Sequence, residues 1–295
     1  MPPKVALDEL RRRIDRIDDQ IHDLLIERAT LAGDVASAKA PRTGMWRPQR
    51  EIQILRRLVG RHRGDFPAAA VVRIWREIMS AMLSLEGRFS VAVCMPPGQP
   101  GFWDMARDHF GTIVPMTAYQ GTGAQGSGAV MRAVTDDPTV VGVLPWPREE
   151  DADPWWPHLL SDDANAPRIV ARLQRDGGDG ETGLAVARAT VEPTGDDRSF
   201  LGIETSDEIS RTRLLSRLSA AGYDVGFVTT YREQADQPPN LHLVEVAGFV
   251  GSDDAKLAAI RDAAPDAIRR AVWFGTYAVP LVAKTKPAVR PATRT

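Results

Sequence analysis

Cysteine occurs once in the 295 residues, at Cys94. A lone cysteine excludes an internal disulfide and any zinc site built on thiolates. Histidine is also scarce, and the five that occur are scattered without metal-ligand spacing. No run reaches the ~20 apolar residues that a membrane span needs, and no apolar stretch near Met1 has signal-peptide length. The formal net charge is only −2, so there is no excess of basic residues to attract nucleic acid. These absences predict a cytoplasmic chain with neither a membrane nor a nucleic acid as partner. What is present is ordinary for a globular protein: 43% hydrophobic and 26% charged residues, enough for two or three small domains.

Three blocks differ in pattern. In the first, residues 1–87, Leu7, Leu10, Ile14, Ile17, Ile21, Leu24, Leu25, Leu31 and Val35 recur at steps of three and four. That spacing predicts one long amphipathic helix from about Ala6 to Lys39, roughly 50 Å at 1.5 Å per residue. Pro41, Gly44 and Pro48 break it. A second helix is expected from Arg50 to about Arg61, and a third up to Glu86. Two short helices cannot cover the apolar stripe of the long one, so two copies are expected to pack their long helices together.

The second block, residues 88–198, alternates strand and helix. Strands are expected at Phe89–Met95, Ile113–Tyr119, Val140–Leu144, Arg168–Leu173 and Leu184–Thr190, and helices at Phe102–Phe110 and Val130–Val134. This is an α/β pattern with some parallel pairing, and it makes Cys94 a core residue. Trp146–Pro167, rich in Pro, Asp and Trp, reads as loop. The third block, 199–283, reads strand, helix, strand, strand, helix, strand, the ferredoxin-like βαββαβ order. The last residues, 284–295, read as a disordered tail.

The candidate chemistry is a set of charges in the first block. Arg28 and Lys39 are eleven residues apart, about three helical turns, and share a face. Arg11 precedes Arg28 by 17 residues, roughly 25 Å along the axis, so it cannot share a small ligand with Arg28 of its own chain. In an antiparallel pair of long helices, Arg11 of one copy approaches Arg28 of the other. Arg50 and Glu51 open the second helix and Glu86 closes the third. Gathered cations repel unless an anion joins them, and arginine grips a carboxylate bidentately. A dicarboxylate ligand would therefore suit the set.

At these residues the chain resembles a known family. Leu7–Asp18, Leu24-Leu25-Ile26-Glu27-Arg28, Ala38-Lys39, Arg50-Glu51 and Ile74-Trp75-Arg76-Glu77-Ile78 are similar to the all-helical chorismate mutases. The resemblance implies an intertwined dimer that rearranges chorismate to prephenate without a cofactor. It implies that Arg28, and Arg11 supplied in trans, bind the substrate carboxylates. Lys39 and Glu86 donate to the ether oxygen, Glu51 holds the ring hydroxyl and Arg50 supports the pocket. Many members carry Gln where this chain has Glu86, and a carboxyl donates only when protonated. Where many have an acid, this chain has Arg47, and Met82 replaces a small polar residue.

The other two blocks resemble the dehydratase and ACT regions of bifunctional chorismate mutase/prephenate dehydratases, in eroded form. Pro145-Trp146-Pro147 stands where that family has a Pro-x-Glu-Asn-Ser run. Arg198-Ser199-Phe200 stands where it has Thr-Arg-Phe; the Thr is absent, and Ser199, shifted by one place, is the candidate hydroxyl. Phe274-Gly275-Thr276-Tyr277 matches the closing segment of an ACT domain, but its phenylalanine-binding signatures are replaced. The reading is a mutase with a degenerate dehydratase-like domain and an ACT-like domain. The rival readings are a true bifunctional enzyme, or a tail that senses an amino-acid effector.

Overall fold

The computed structural model describes residues 7–38, 46–149, 151, 153–161, 163, 165–174, 181–206, 209–232, 239–262 and 267–281. The expected tail, 284–295, lies outside them. Helix α1 spans Leu7–Ala38, α2 Pro48–Arg61 and α3 Ala68–Glu86. In α1, Leu7, Leu10, Ile14, Ile17, Ile21, Leu24 and Leu31 alternate steps of three and four, the a and d positions of a heptad. Arg28 occupies the one remaining seam position between Leu24 and Leu31. All seven apolar members are exposed, from 41% at Leu10 to 63% at Leu24. Helix α2 begins two residues earlier than its apolar pattern, because Pro48 fits the first helical position, where no N–H is needed.

The rest of the chain forms one nine-stranded sheet. The strands are β1 (Ser90–Met95), β2 (Met116–Gln120), β3 (Val140–Pro145), β4 (Arg168–Gln174), β5 (Thr182–Ala187), β6 (Asp197–Thr205), β7 (Val225–Arg232), β8 (Asn240–Ala247) and β9 (Ile268–Ala278). Their order across the sheet is β2-β1-β3-β5-β4-β9-β6-β8-β7. β1 pairs in parallel with both β2 and β3, while β5 runs antiparallel to β3 and β4. With α6 (Arg211–Ala220) and α7 (Ala255–Asp262), strands β6 to β9 complete the expected βαββαβ unit. The second and third blocks are thus joined edge to edge. Their seam is β4 against β9, where Ile169 pairs with Gly275. Gly275 has φ +143°, and a Cβ there would sit 2.1 Å from the Ile169 carbonyl oxygen, so only glycine permits the approach.

Side-chain alternation puts a core on each face of the sheet. On one face of the βαββαβ unit, Leu201, Ile203, Val244 and Val246 pack under Leu214 and Leu218 of α6 and Leu257 and Ile260 of α7. On the opposite face Phe200, Leu243, Phe274 and Tyr277 join a core with Val130 and Val134 of α5 (Ser127–Asp136). Cys94 is buried in that core, as its apolar neighbours predict. The stretch read as loop after β3 contains a short 3-10 turn, Trp156–Leu159. Arg168 of β4 secures it by donating to the carbonyls of Leu159, Ser161 and Asp163.

The helical segment is fastened to the sheet. Gln49 donates to the carbonyls of Val170 and Thr276. Arg56 donates to the carbonyls of Thr194, Asp196 and Val279. Helix α4 (Gly101–Phe110) packs beside α3, where Glu77 accepts from the Thr112 backbone N–H at 3.0 Å. Trp46, Leu83, Phe89 and Phe110 then fall into one core with β1.

Candidate active site

The three helices enclose a cavity of about 350 Å³ lined by Arg28, Arg47, Arg50, Glu51, Met82 and Glu86, with Leu31, Ile54, Met79 and Leu83 as apolar wall. Each element contributes by its register. Arg28 enters from the α1 seam. Arg50 and Glu51 lie in the first turn of α2, where the Arg47 carbonyl accepts from both of their N–H groups. Glu86 is the last residue of α3 and Met82 lies one turn before it.

Two features set the electrostatics of the cavity. The Nη1 of Arg28 is buried with no hydrogen-bond partner among the described residues. Burial also pulls its pKa below the ordinary guanidinium value. A buried charged donor left open is costly unless a ligand completes it. Beside it, burial pushes the Glu51 carboxyl up to about 7, against the opposing pull of a hydrogen bond from Trp46 and the charge of Arg76. Trp46 Nε1 donates to Glu51 Oε1 at 3.1 Å.

Of the residues expected from sequence, Arg28, Arg50, Glu51 and Glu86 therefore meet at one cavity. Arg47 and Met82 line it too, so their replacement of an acid and a small polar residue changes the wall itself. Arg11 is elsewhere: its guanidinium pairs with Asp8 at 3.4 Å on the exposed start of α1. Lys39 lies outside the described residues. Trp46 and Arg76 were not foreseen. Trp46 falls in a stretch read only as helix breakers, and Arg76 in a motif whose side-chain directions the spacing does not assign.

Ser199, the hydroxyl nearest the expected dehydratase position, is fully buried. Its Oγ donates to the Gly248 carbonyl, accepts from the Val250 N–H and shares a hydrogen bond of 2.8 Å with Thr276. It holds the turn after β8 and faces no open cleft. Among the described residues no three His, Cys, Asp or Glu side chains are grouped to hold a metal, and no helix is long and apolar enough to cross a membrane.

Comparison with known proteins agrees with the helical geometry. Bifunctional chorismate mutase/prephenate dehydratase of Pseudomonas aeruginosa is 37% identical over 128 residues, covering 40% of this chain and 34% of that protein. The Aquifex aeolicus protein of the same name is 42% identical over 95 residues, covering 30% and 26%. The match thus spans about a third or less of those relatives' length. Among solved structures, a prephenate dehydratase from Streptococcus mutans superposes with a TM-score of 0.46 at 12% identity, over 65% of this chain and 98% of that one. GqqA, a quorum quenching acylase, gives 0.47 at 16%, over 66% and 97%. The family model of chorismate mutase type II matches residues 10–87, the segment that builds the cavity, and this helical segment is a chorismate mutase type II domain.

Proposed function

We propose that the protein is a chorismate mutase, converting chorismate to prephenate for phenylalanine and tyrosine synthesis in the cytoplasm. The observation that carries the reading is the buried Nη1 of Arg28, without a hydrogen-bond partner among the described residues, in a cavity shared with Arg50, Glu51 and Glu86. A pericyclic rearrangement needs no nucleophile. The site has to hold the extended side chain of the substrate folded over its ring, which removes the entropy of finding that conformer. It also has to place donors at the ether oxygen as the C–O bond breaks. Arg28 suits the first task, gripping a carboxylate. Lys39 suits the second, and so would a carboxylic acid at Glu86, since a carboxyl donates only with its proton. Glu51 is placed to hold the ring hydroxyl and Arg50 to support the pocket.

The working unit in this reading is a dimer. The exposed heptad seam of α1 is the surface it would bury, at on the order of 1 kcal/mol per half-buried Leu or Ile. Antiparallel helices that bring Arg11 of one copy to Arg28 of the other cross midway between them, near Asp19 and Gln20. The seam then delivers the second carboxylate clamp in trans.

Purified full-length protein incubated with chorismate tests this. Prephenate should accumulate, with phenylpyruvate no faster than its spontaneous formation, because Ser199 is sealed in the core. Chorismate left unchanged would end the mutase reading. Enzymatic phenylpyruvate would instead favour a bifunctional enzyme.

A second role, amino-acid sensing by the βαββαβ unit, is favoured by one observation. A cleft of about 870 Å³ lies between α6 and β7, lined by Arg211, Ser219, Tyr223 and Asp224. An amino acid that binds the native state must raise its thermal stability. No shift with phenylalanine or tyrosine at millimolar concentration would remove those effectors.

A further inference from the structure

The matched mutase segment ends at residue 87, yet the groups around the Glu51 carboxyl are themselves held from beyond it. Arg76 of α3 acts on Glu51 through its charge. Its Nη1 lies 2.5 Å from Nδ1 of His109, on α4. A guanidinium only donates, so Nδ1 must be the acceptor and the ring proton sits on Nε2. Burial first, then the charge of Arg76, hold this imidazole well below its ordinary pKa, which keeps Nδ1 free to accept. The same ring meets Trp46 edge-on, with centroids 6.0 Å apart, and Phe110 packs on the indole at 5.0 Å. Trp46 is the residue whose Nε1 donates to Glu51.

We infer that His109 is a positioning residue for Glu51: one imidazole of α4 holds both the Arg76 guanidinium and the Trp46 indole, so the sheet region completes the helical site. This rests on the mutase reading of the cavity. His109 touches no substrate in it. Its effect passes through Glu51, whose carboxyl has to keep one orientation toward the ring hydroxyl, and small misplacements in such sites are expensive in rate.

Two substitutions separate the two contacts. His109→Phe keeps a ring against Trp46 and deletes the acceptor. His109→Asn deletes the ring and offers Oδ1 to Arg76 in place of Nδ1. In the full-length protein, kcat/KM for chorismate should fall about tenfold in His109→Phe and recover most of that in His109→Asn. In a Glu51→Gln background the His109→Phe effect should shrink below about twofold, because the carboxyl it positions is gone. If His109→Phe loses helical circular dichroism, His109→Leu, which also lacks the acceptor for Arg76, takes its place and must couple to Glu51→Gln in the same way. Unchanged turnover in His109→Phe, or an effect that simply multiplies with that of Glu51→Gln, would overturn the inference while leaving the mutase reading intact. No turnover in the unaltered protein would end both.

Discussion

Glu51→Gln offers a stability test that does not depend on turnover. The ordinary value for its carboxyl is 4.5, and in the fold burial raises it to about 7. At pH below the lower value both the folded and unfolded chains hold the proton, and the residue contributes no pH dependence. Between the two values the folded chain keeps a proton that the unfolded chain has lost. Stability then falls as pH rises, by about 1.4 kcal/mol per unit. Above about 7 the loss is complete, at roughly 3 kcal/mol. Gln cannot ionise, and its Oε1 can still accept from Trp46. The stability of Glu51→Gln relative to the parent should therefore improve by about 2.5 kcal/mol between about pH 5 and about pH 8.5. Packing differences between Gln and Glu do not change with pH, and every other titrating group is common to both chains. The comparison thus isolates one carboxyl. Urea denaturation at both pH values, at one protein concentration, gives the numbers. A difference between the two proteins that stays constant across this range would refute a raised pKa at Glu51.

Arg28→Ala removes the half-buried guanidinium, and kcat/KM for chorismate should drop by roughly 10²–10³, as for other donors aimed at substrate charge; steady-state rates check it, and a loss under fivefold would displace Arg28 from the site. Leu24→Glu places a charge in the α1 seam at a side chain 63% exposed in the single chain. It should leave the helical content intact, halve the mass seen by light scattering and abolish turnover, because Arg11 then reaches no partner. An active monomer would refute the trans arrangement. Gln at position 86 always carries an N–H donor, so Glu86→Gln should turn chorismate over at least as fast as the parent; a steady-state kcat lower by tenfold or more would remove position 86 from donation to the ether oxygen.

Local pattern carried much of this structure. The heptad steps of α1, the end of the second helix at Arg61, and the βαββαβ order are all present in the fold, because each depends on residues within a few turns of one another. The cluster of Arg28, Arg50, Glu51 and Glu86 was legible because several short motifs agreed on one helical site. Partners distant in sequence were not. Periodicity says which face of β4 is apolar and nothing about which strand lies beside it, so the blocks read as separate units where the structure has one sheet. Trp46 was hidden for a related reason. Amid Pro41, Gly44 and Pro48 it carries no periodic signal, and its role depends on Glu51, Phe110 and His109 converging on it from two other elements. Ser199 looked available by position, and only the surrounding hydrogen bonds reveal it as part of the frame.

The seam between β4 and β9 bears on how the chain is made. Ile169 waits for Gly275, 106 residues later, before its strand gains its second neighbour. At ordinary rates of synthesis, that interval is about 5–20 s. Through it, the half of the sheet already out of the ribosome presents β4 as a bare, largely apolar edge, the kind of surface on which nascent chains aggregate. Among the described residues, the last strand to emerge is the one that closes the middle of the sheet, so a ribosome that stalls before residue 268 releases a product with its centre open.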